Sequence, residues 1–362
     1  MKLHKINSNK IKKTIICKNV TSSIINKEIK KTYMPKAGDV AIFKVKEIGK
    51  HTRIQSTTGN NKYILPGDLI MAAFGNRYAT EQMEGFIPNC YHNTYHILGQ
   101  GGAIGILKNM HAKFELVGPT SLSLVGYIVN ENGSVINTKY LNNATTTYKS
   151  IPLNKHHKVI LSLGTSMDSG KTSSAAFLAR GLKLARKKIA FIKLTGTVYT
   201  KDKNMVRDYG ANISLDFSYF GFPSTYMCST EEIISLYKHL IEQVRPHNPE
   251  YIIVEIADGL LQRETHALIN NKEFMSKISG ALFSSLDSMS AIAGANMLTE
   301  LGCNIIGVTG LFTVSPLLIN EVKEKSNYTV LTKENLTSRE IINTLEQNVK
   351  YLKFENKMAV NS

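Results

Sequence analysis

Hydrophobic positions along the chain follow two different patterns. Between about residues 37 and 150, short apolar pieces such as residues 40–45 and 69–71 alternate with turn residues, and Asn130 to Gly133 give a strong hairpin signal. Short strands at this spacing predict a small β-barrel or β-sandwich as an accessory domain over 37–150. Residues 143–155, rich in Thr and Asn, predict a linker to the next domain.

From residue 157 onward, buried-strand patterns alternate with helical ones. Strands are predicted at 159–163, 189–194, 251–256, 280–284, 304–308 and 328–331, and helices at 229–243, 288–301, 315–325 and 338–350. This alternation predicts an α/β domain with a doubly wound parallel sheet over 151–362.

The turn after the first of these strands carries the most specific signal. It reads Gly-Thr-Ser-Met-Asp-Ser-Gly-Lys-Thr-Ser and leads directly into a helical pattern. Backbone N–H groups in such a loop, and the dipole of the helix behind it, favour a phosphate group. The first glycine stands one residue earlier than in the usual G-x-x-x-x-G-K-[ST] spacing, so the loop is a variant of the P-loop. The predicted nucleotide-binding residues are Gly164, Thr165, Ser166, Asp168, Ser169, Gly170, Lys171, Thr172 and Ser173.

Two side chains of this loop have predicted roles in chemistry. Lys171 would reach the terminal phosphates, and the Thr172 hydroxyl would contact Mg²⁺. The strand at 251–255 ends in Glu255, with Asp258 just beyond it, and a carboxylate at a strand tip lies where an α/β sheet binds its ligand. Either carboxylate would complete the metal shell begun by Thr172. Acidic residues also end strands simply for solubility.

Three segments resemble dethiobiotin synthetase and related uncharacterised bacterial P-loop proteins. They are the loop at 164–172, the strand end at 193–196 and residues 254–261, so the resemblance covers about residues 157–310. It implies ATP or another NTP and Mg²⁺ as cofactors. It also implies that Lys171, Lys193 and Glu255 act in catalysis, with Lys193 as a cation beside the acceptor and Glu255 as the second metal ligand.

The chain departs from that family at several positions. Ser166 stands where the family has Asp, and residues 256–258 replace a small Gly-Ala-Gly stretch, so the acceptor pocket must differ. The Asn that reads adenine in the family has no counterpart at 307–310. The choice between ATP and GTP is therefore open.

Charge and cysteine usage add less specific expectations. The net charge is +16, and residues 1–36 hold ten lysines against Glu28 alone, which predicts a basic tail. Such a tail could contact nucleic acid, but without Arg and with few aromatic residues a solvated tail is favoured. The four cysteines are widely separated, and an apolar stretch long enough to span a membrane is lacking. We therefore expect a cytoplasmic protein with no membrane partner.

These observations predict a P-loop enzyme of ligase or kinase type, or an NTP hydrolase. Its substrates would be a nucleotide and a small polar or carboxylate-bearing acceptor, which it phosphorylates or activates. The alternative is a regulatory or RNA-associated P-loop NTPase that uses hydrolysis to switch conformation. The sequence also leaves a homodimer open.

Overall fold

The computed structural model describes residues 3–7, 10–141 and 157–348, and its contacts divide the chain into two compact units. The first unit comprises Met1–Thr147, Leu194–Asp202 and Asp216–Leu236; the second comprises Tyr148–Lys193, Lys203–Leu215 and Tyr237–Ser362. The predicted linker at 143–155 lies outside the described residues. Within the described ranges, none of the helices is both long and apolar enough to cross a membrane.

The first unit is built mainly of strands. They are β1 Leu3–Lys5, β2 Ile11–Lys13, β3 Ile24–Asn26, β4 Val40–Glu47, β5 Arg53–Gln55, β6 Asn61–Tyr63, β7 Leu69–Phe74, β8 Arg77–Ala79, β9 Met83–Phe86, β10 Tyr95–Gly99, β11 Ala103–Met110 and β12 Ser121–Val129, followed by the short helix α1 Thr138–Leu141. Strand β12 pairs with β4, β4 with β7, β7 with β11, β11 with β10, and β10 with β12 again. These five pairings form a closed ring of strands.

Aromatic side chains fill the core of this unit. The rings of Phe43, Phe74 and Tyr95 contact one another edge to face at centroid distances of 5.4 to 5.9 Å, and Tyr127 stacks on Phe74 at 5.9 Å. All four side chains are fully buried. Because alternate residues of a strand point to the same face, the short apolar pieces of the sequence supply this core from several strands.

The predicted basic tail at 1–36 is not a separate segment of the fold. Strand β3 pairs with β12 and β1 pairs with β3, while β2 pairs with β7. Five apolar residues among the lysines are buried, namely Ile15, Ile16, Cys17, Val20 and Ile25. The predicted boundary at residue 36 is therefore not a boundary of the structure. The range 151–362 also needs correction, since two of its segments belong to the first unit.

After residue 157 the chain alternates between strands and helices. The strands are β13 Lys158–Gly164, β14 Ile189–Lys193, β15 Ile213–Asp216, β16 Tyr251–Glu255, β17 Gly280–Ser285 and β18 Ile305–Gly310. The helices are α2 Lys171–Leu184, α3 Lys201–Tyr209, α4 Thr230–Val244, α5 Arg263–Ile269, α6 Lys272–Met275, α7 Ser288–Glu300, α8 Pro316–Lys325, α9 Lys333–Thr337 and α10 Ile341–Asn348.

These strands form one sheet in the order β15-β14-β16-β13-β17-β18. Strand β13 pairs in parallel with both β16 and β17, and the pairs of β14 with β16 and β17 with β18 are also parallel. The predicted α/β fold with a parallel sheet is confirmed. The strand predicted at 328–331 is wrong, because that segment makes only an isolated bridge between Val308 and Val330.

The second unit has its core between the sheet and helix α2. Residues Ala175, Leu178 and Leu182 of α2 are fully buried and pack in one cluster with Ile160 and Phe191 of the sheet. The strands next to this helix are mostly apolar, as expected for a parallel sheet that is covered by helices. This packing fixes the first turn of α2 at the carboxyl end of the central strand β13.

Candidate functional site

The loop at 164–170 joins the central strand β13 to helix α2. Its last residue, Gly170, has φ of +103°, a left-handed conformation that side chains with a Cβ rarely adopt. The loop is held on its β17 and β18 sides: the Thr165 N–H donates to the Ser284 carbonyl at 3.0 Å, and the Leu311 N–H donates to the Ser169 carbonyl at 3.3 Å. The loop backbone is thus fixed by the neighbouring strand ends.

Lys171 is the first residue of α2, and its side chain folds back over the loop. Its Nζ donates to the Ser166 carbonyl at 2.6 Å. Burial lowers the pKa of Lys171, while the nearby carboxylates of Glu255 and Asp258 act to raise it. The structure therefore places this ammonium group in the loop, within the electrostatic reach of both predicted metal ligands.

Thr172, Glu255 and Lys193 meet at one carboxylate oxygen. The Thr172 Oγ1 donates to Glu255 Oε1 at 3.0 Å, and Lys193 Nζ lies 3.0 Å from the same oxygen. Strand register explains why these side chains are in contact, because Glu255 lies opposite Ser162 of β13 on one side and opposite Lys193 of β14 on the other. The carboxylate is almost completely buried, so both contacts operate in a medium of low dielectric constant.

Three buried oxygens of this site have no hydrogen-bond partner in the described part of the chain: Thr165 Oγ1, Ser169 Oγ and Glu255 Oε2. Buried polar atoms are normally satisfied, and leaving one unsatisfied costs about 1–3 kcal/mol. A carboxylate oxygen suits a hard cation, and hydroxyl groups suit phosphate oxygens. The donor set therefore fits a metal-bound polyphosphate.

The carboxylates do not form a metal cage by themselves. Among the residues that the structure describes, three or more His, Cys, Asp or Glu side chains do not gather anywhere in a metal-binding group. Mg²⁺ usually takes only one or two carboxylates and completes its shell with phosphate oxygens and water. Glu255 and Thr172, with Asp258 nearby, match that sparse pattern.

The predicted site residues differ in how closely the structure brings them together. Direct polar contacts form two sets: Lys171 with Ser166, and Glu255 with both Thr172 and Lys193. Asp168 is exposed and has φ of +61°, and Ser173 is half-buried in the first turn of α2. The individual roles of all these residues stay predictions.

Sequence reasoning missed the residues that hold the loop from the other side. Ser284 accepts the Thr165 N–H, and Gly310 lies against Gly170, where a Cβ would come within 3.1 Å of the Gly310 Cα. The sequence signal for this contact was Gly310, which lies two residues beyond the predicted strand 304–308. The need for glycine there comes from the close approach of the loop, which is distant in sequence.

No family model matches the chain, and no curated protein matches it. Several solved structures are similar at low identity, with matches that cover part of each chain. The signal recognition particle receptor FtsY from Elizabethkingia anophelis is 17% identical, with 53% of this chain and 66% of that chain covered at a TM-score of 0.36. The chain thus spans slightly less than two thirds of that receptor's length.

Two further solved structures are similar at the same level. The kinase domain of the Escherichia coli tyrosine kinase ETK is 14% identical over 43% of this chain and 67% of that chain, with a TM-score of 0.33. HypB from Helicobacter pylori in complex with nickel is 12% identical over 55% of this chain and 93% of that chain, with a TM-score of 0.34. The resemblance to dethiobiotin synthetase stays a prediction.

Proposed function

We propose that this chain is an Mg²⁺-dependent P-loop enzyme that uses ATP or another NTP to phosphorylate or activate a small polar or carboxylate-bearing acceptor. The observation that carries the proposal is the contact of Thr172 with Glu255 directly beneath the loop. A Gly-Lys-Thr turn between a parallel strand and a helix, with a carboxylate from the adjacent strand on its threonine, has the parts that a metal-bound phosphate chain needs.

Each residue has a definite task in this proposal. The loop amides and the N-terminus of α2 bind phosphate oxygens, and Lys171 adds the positive charge that amides lack. Thr172 and Glu255 hold Mg²⁺, which neutralises charge on the terminal phosphates when it is bound. Lys193, anchored to Glu255, offers a cation for the acceptor's carboxylate or for charge that develops during transfer.

Loss of the Lys171 ammonium tests the proposal most directly. Lys171→Ala should abolish nucleotide turnover and weaken nucleotide binding, because the loop amides alone cannot neutralise the terminal phosphates. Lys323→Ala is the matched control, since Lys323 is an exposed lysine on α8. Calorimetric titration with ATP and GTP, together with phosphate release, measures both effects. Wild-type turnover in Lys171→Ala would refute the P-loop assignment.

The acceptor can be sought with the same enzyme. Turnover is measured with ATP and Mg²⁺ alone, with pools of small carboxylates and amines, and with RNA. The proposal expects turnover to rise with a small acceptor and a modified acceptor to be found by mass spectrometry. Stimulation by RNA, with no modified small molecule, would favour the conformational switch instead.

A further inference from the structure

Three basic side chains of the first unit collect where β4 and β11 end. Lys50 follows β4, Lys113 follows β11, and Arg77 belongs to β8; we call them the basic cluster. The Lys50 Nζ and the Arg77 Nη2 both donate to the side-chain oxygen of Gln82, the latter at 2.8 Å. The Nζ atoms of Lys50 and Lys113 lie 4.8 Å and 5.5 Å from the centre of the Phe114 ring. The cluster is thus built around one neutral amide and one aromatic ring.

The cluster holds more positive than negative charge. Its neighbouring carboxylate is Glu81, which accepts a hydrogen bond from Lys113 Nζ at 2.8 Å and is partly exposed. In the part of the chain that the structure describes, Lys50 makes no ion pair with a carboxylate. Burial lowers the pKa of Lys50 to about 8, and the charges of Arg77 and Lys113 contribute to this shift. Lys50 is therefore held beside two other cations, with a neutral amide as its acceptor.

The excess positive charge extends into the interior of the first unit. Arg77 is only 9% exposed, and a guanidinium group keeps its charge in a protein. Its Nη1 donates to the Leu98 carbonyl, which fixes the group in place. Burial lowers the pKa of His51, and Arg77 and Lys50 lower it further, so a second buried base is exposed to the same positive potential. Because a medium of low dielectric constant screens charge poorly, the cluster attracts an anion more strongly than surface lysines do.

An anion can reach the cluster from solvent. Lys50, Gln82 and Phe114 are partly exposed, and Lys113 is exposed. An ammonium group has three N–H donors, and Gln82 accepts a hydrogen bond from one of those of Lys50, so donors remain for an oxyanion. A hydrogen bond from an ammonium group to a carboxylate or phosphate is charge-assisted and therefore stronger than one to a neutral amide.

From these observations we infer that the basic cluster is a binding site for a small oxyanion, the carboxylate or phosphate group of a ligand. Lys50 and Lys113 donate to the oxyanion, and the buried charge of Arg77 adds attraction from the interior. The oxyanion gives Lys50 the negative partner that it lacks among the described residues. The site belongs to the first unit, and it is separate from the nucleotide function proposed for the loop at 164–172.

Acetylation of lysines tests the site on the full chain, because mass spectrometry reads each lysine separately. The protein is treated briefly with N-hydroxysuccinimidyl acetate at pH 7.5, while sodium phosphate or sodium malonate replaces sodium chloride at constant ionic strength. Acetylation of Lys50 should fall at least about fivefold in the oxyanion, because an anion beside Lys50 raises its pKa and so lowers the fraction of reactive free amine. Lys44, an exposed lysine of β4, should be acetylated equally in all three salts.

Two variants give a matched comparison. Lys113→Gln removes one cation of the cluster, so the oxyanion concentration that half protects Lys50 should rise about three- to tenfold with the loss of a charge-assisted hydrogen bond. Lys108→Gln is the control, because Lys108 is also exposed and its Nζ lies 5.2 Å from a ring centre, that of Phe86, but it is not part of the cluster. That variant should leave the concentration for half protection unchanged.

The possible results also identify the class of ligand. Protection of Lys50 by phosphate but not malonate supports the site and assigns it a phosphate group, the reverse assigns it a carboxylate, and protection by both supports a site for either group. Equal acetylation of Lys50 in all three salts overturns the inference, and so does an equal effect of the two variants on protection. The same spectra report acetylation of Lys171, so failure at the basic cluster is distinguished from failure of phosphate to bind at the loop.

Discussion

At the scale of single residues, Glu255 has two competing partners. Its Oε1 accepts from Thr172 and pairs with Lys193, whereas its Oε2 is buried without a hydrogen-bond partner in the described ranges. A buried carboxylate with one unused oxygen costs stability unless a further partner binds. The pair with Lys193 therefore positions the carboxylate but does not satisfy it.

Glu255→Gln tests whether that unused oxygen binds the metal. The amide keeps the size of the side chain but lacks the charge, so we expect the Mg²⁺ concentration for half-maximal turnover to rise about 10- to 100-fold. Nucleotide binding without metal should change much less. Asp258→Asn is the comparison, and the assignment is wrong by three residues if only that variant raises the Mg²⁺ requirement.

His51 predicts an acid-dependent loss of stability in the first unit. Burial lowers the pKa of His51 well below its usual value near 6.5, and Arg77 and Lys50 lower it further. Below pH 6.5 the unfolded chain takes up a proton at this position that the folded chain does not, so stability falls as the pH falls. Relative to His51→Gln, wild type should lose about 2 kcal/mol between pH 7.5 and pH 5.

Urea unfolding of the two proteins across that pH range measures the difference. Subtracting the values for the Gln variant removes the contribution of all other titrating groups, because these groups are present in both proteins. A difference in unfolding free energy that stays constant with pH would show that His51 takes up its proton equally in the folded and the unfolded protein.

At the scale of elements, strand β18 ends at Gly310, which lies very close to the backbone of the loop. Gly310 has φ of +107°, and a Cβ there would lie 2.5 Å from both the Ser169 carbonyl oxygen and the Ser285 nitrogen. Gly302 has φ of +77° with open space around it. Gly310 combines crowding with a backbone conformation (φ 107°, ψ −161°) that essentially only glycine adopts, whereas Gly302 has a positive φ without crowding.

Gly302→Ala should cost about 1 kcal/mol of stability for its left-handed conformation alone. Gly310→Ala should cost about 1–3 kcal/mol more, because its backbone conformation is open essentially to glycine alone and because the backbone of Ser169 or Ser285 must move. Nucleotide affinity should fall only in Gly310→Ala, since that substitution displaces the loop. Equal losses of affinity in the two variants would show that the approach of β18 does not shape the site.

Element positions in the α/β part could be predicted because hydrophobic periodicity there reports burial directly. The helix predicted at 288–301 is found at Ser288–Glu300, and the strand predicted at 251–256 at Tyr251–Glu255. Helix α3 was not predicted, since it has one buried residue, Val206, and little apolar pattern. One fully buried residue, with Met205 and Tyr209 only partly buried against the core, gives too weak a pattern to predict a helix.

The contacts between side chains of the site could be predicted only in part. The loop and the carboxylate strand each have a local signature, so Thr172 and Glu255 could be paired before the structure was known. The shared contact of Lys193 depends on the register between β14 and β16, which no local signal specifies. For the same reason, the contacts of Ser284 and Gly310 with the loop could not be predicted from the sequence.

At the scale of the whole molecule, the two units are interleaved along the sequence. Segments Leu194–Asp202 and Asp216–Leu236 belong to the first unit although they follow the loop in the chain. Composition indicated a tail at 1–36 because ten lysines dominate it, yet the apolar residues among them pack with the strands. Deleting residues 1–36 would remove paired strands and core, so it cannot test the lysines alone.

Charge substitution tests the lysines without removing the core. Lys27, Lys31 and Lys36 are exposed, and changing all three to Gln should leave nucleotide turnover and its salt dependence unchanged if the lysines are only solvated. If they bind RNA, the slope of log affinity against log salt should fall by about 2 to 3, because each phosphate contact contributes about 0.7 to 0.9. The same triple change at Lys272, Lys323 and Lys325, exposed lysines of the second unit, controls for net charge.

We expect no change in either variant, because an enzyme acting on a small acceptor has no need of a polymer-binding surface. RNA-stimulated hydrolysis that disappears only with Lys27, Lys31 and Lys36 would instead establish the switch as the function.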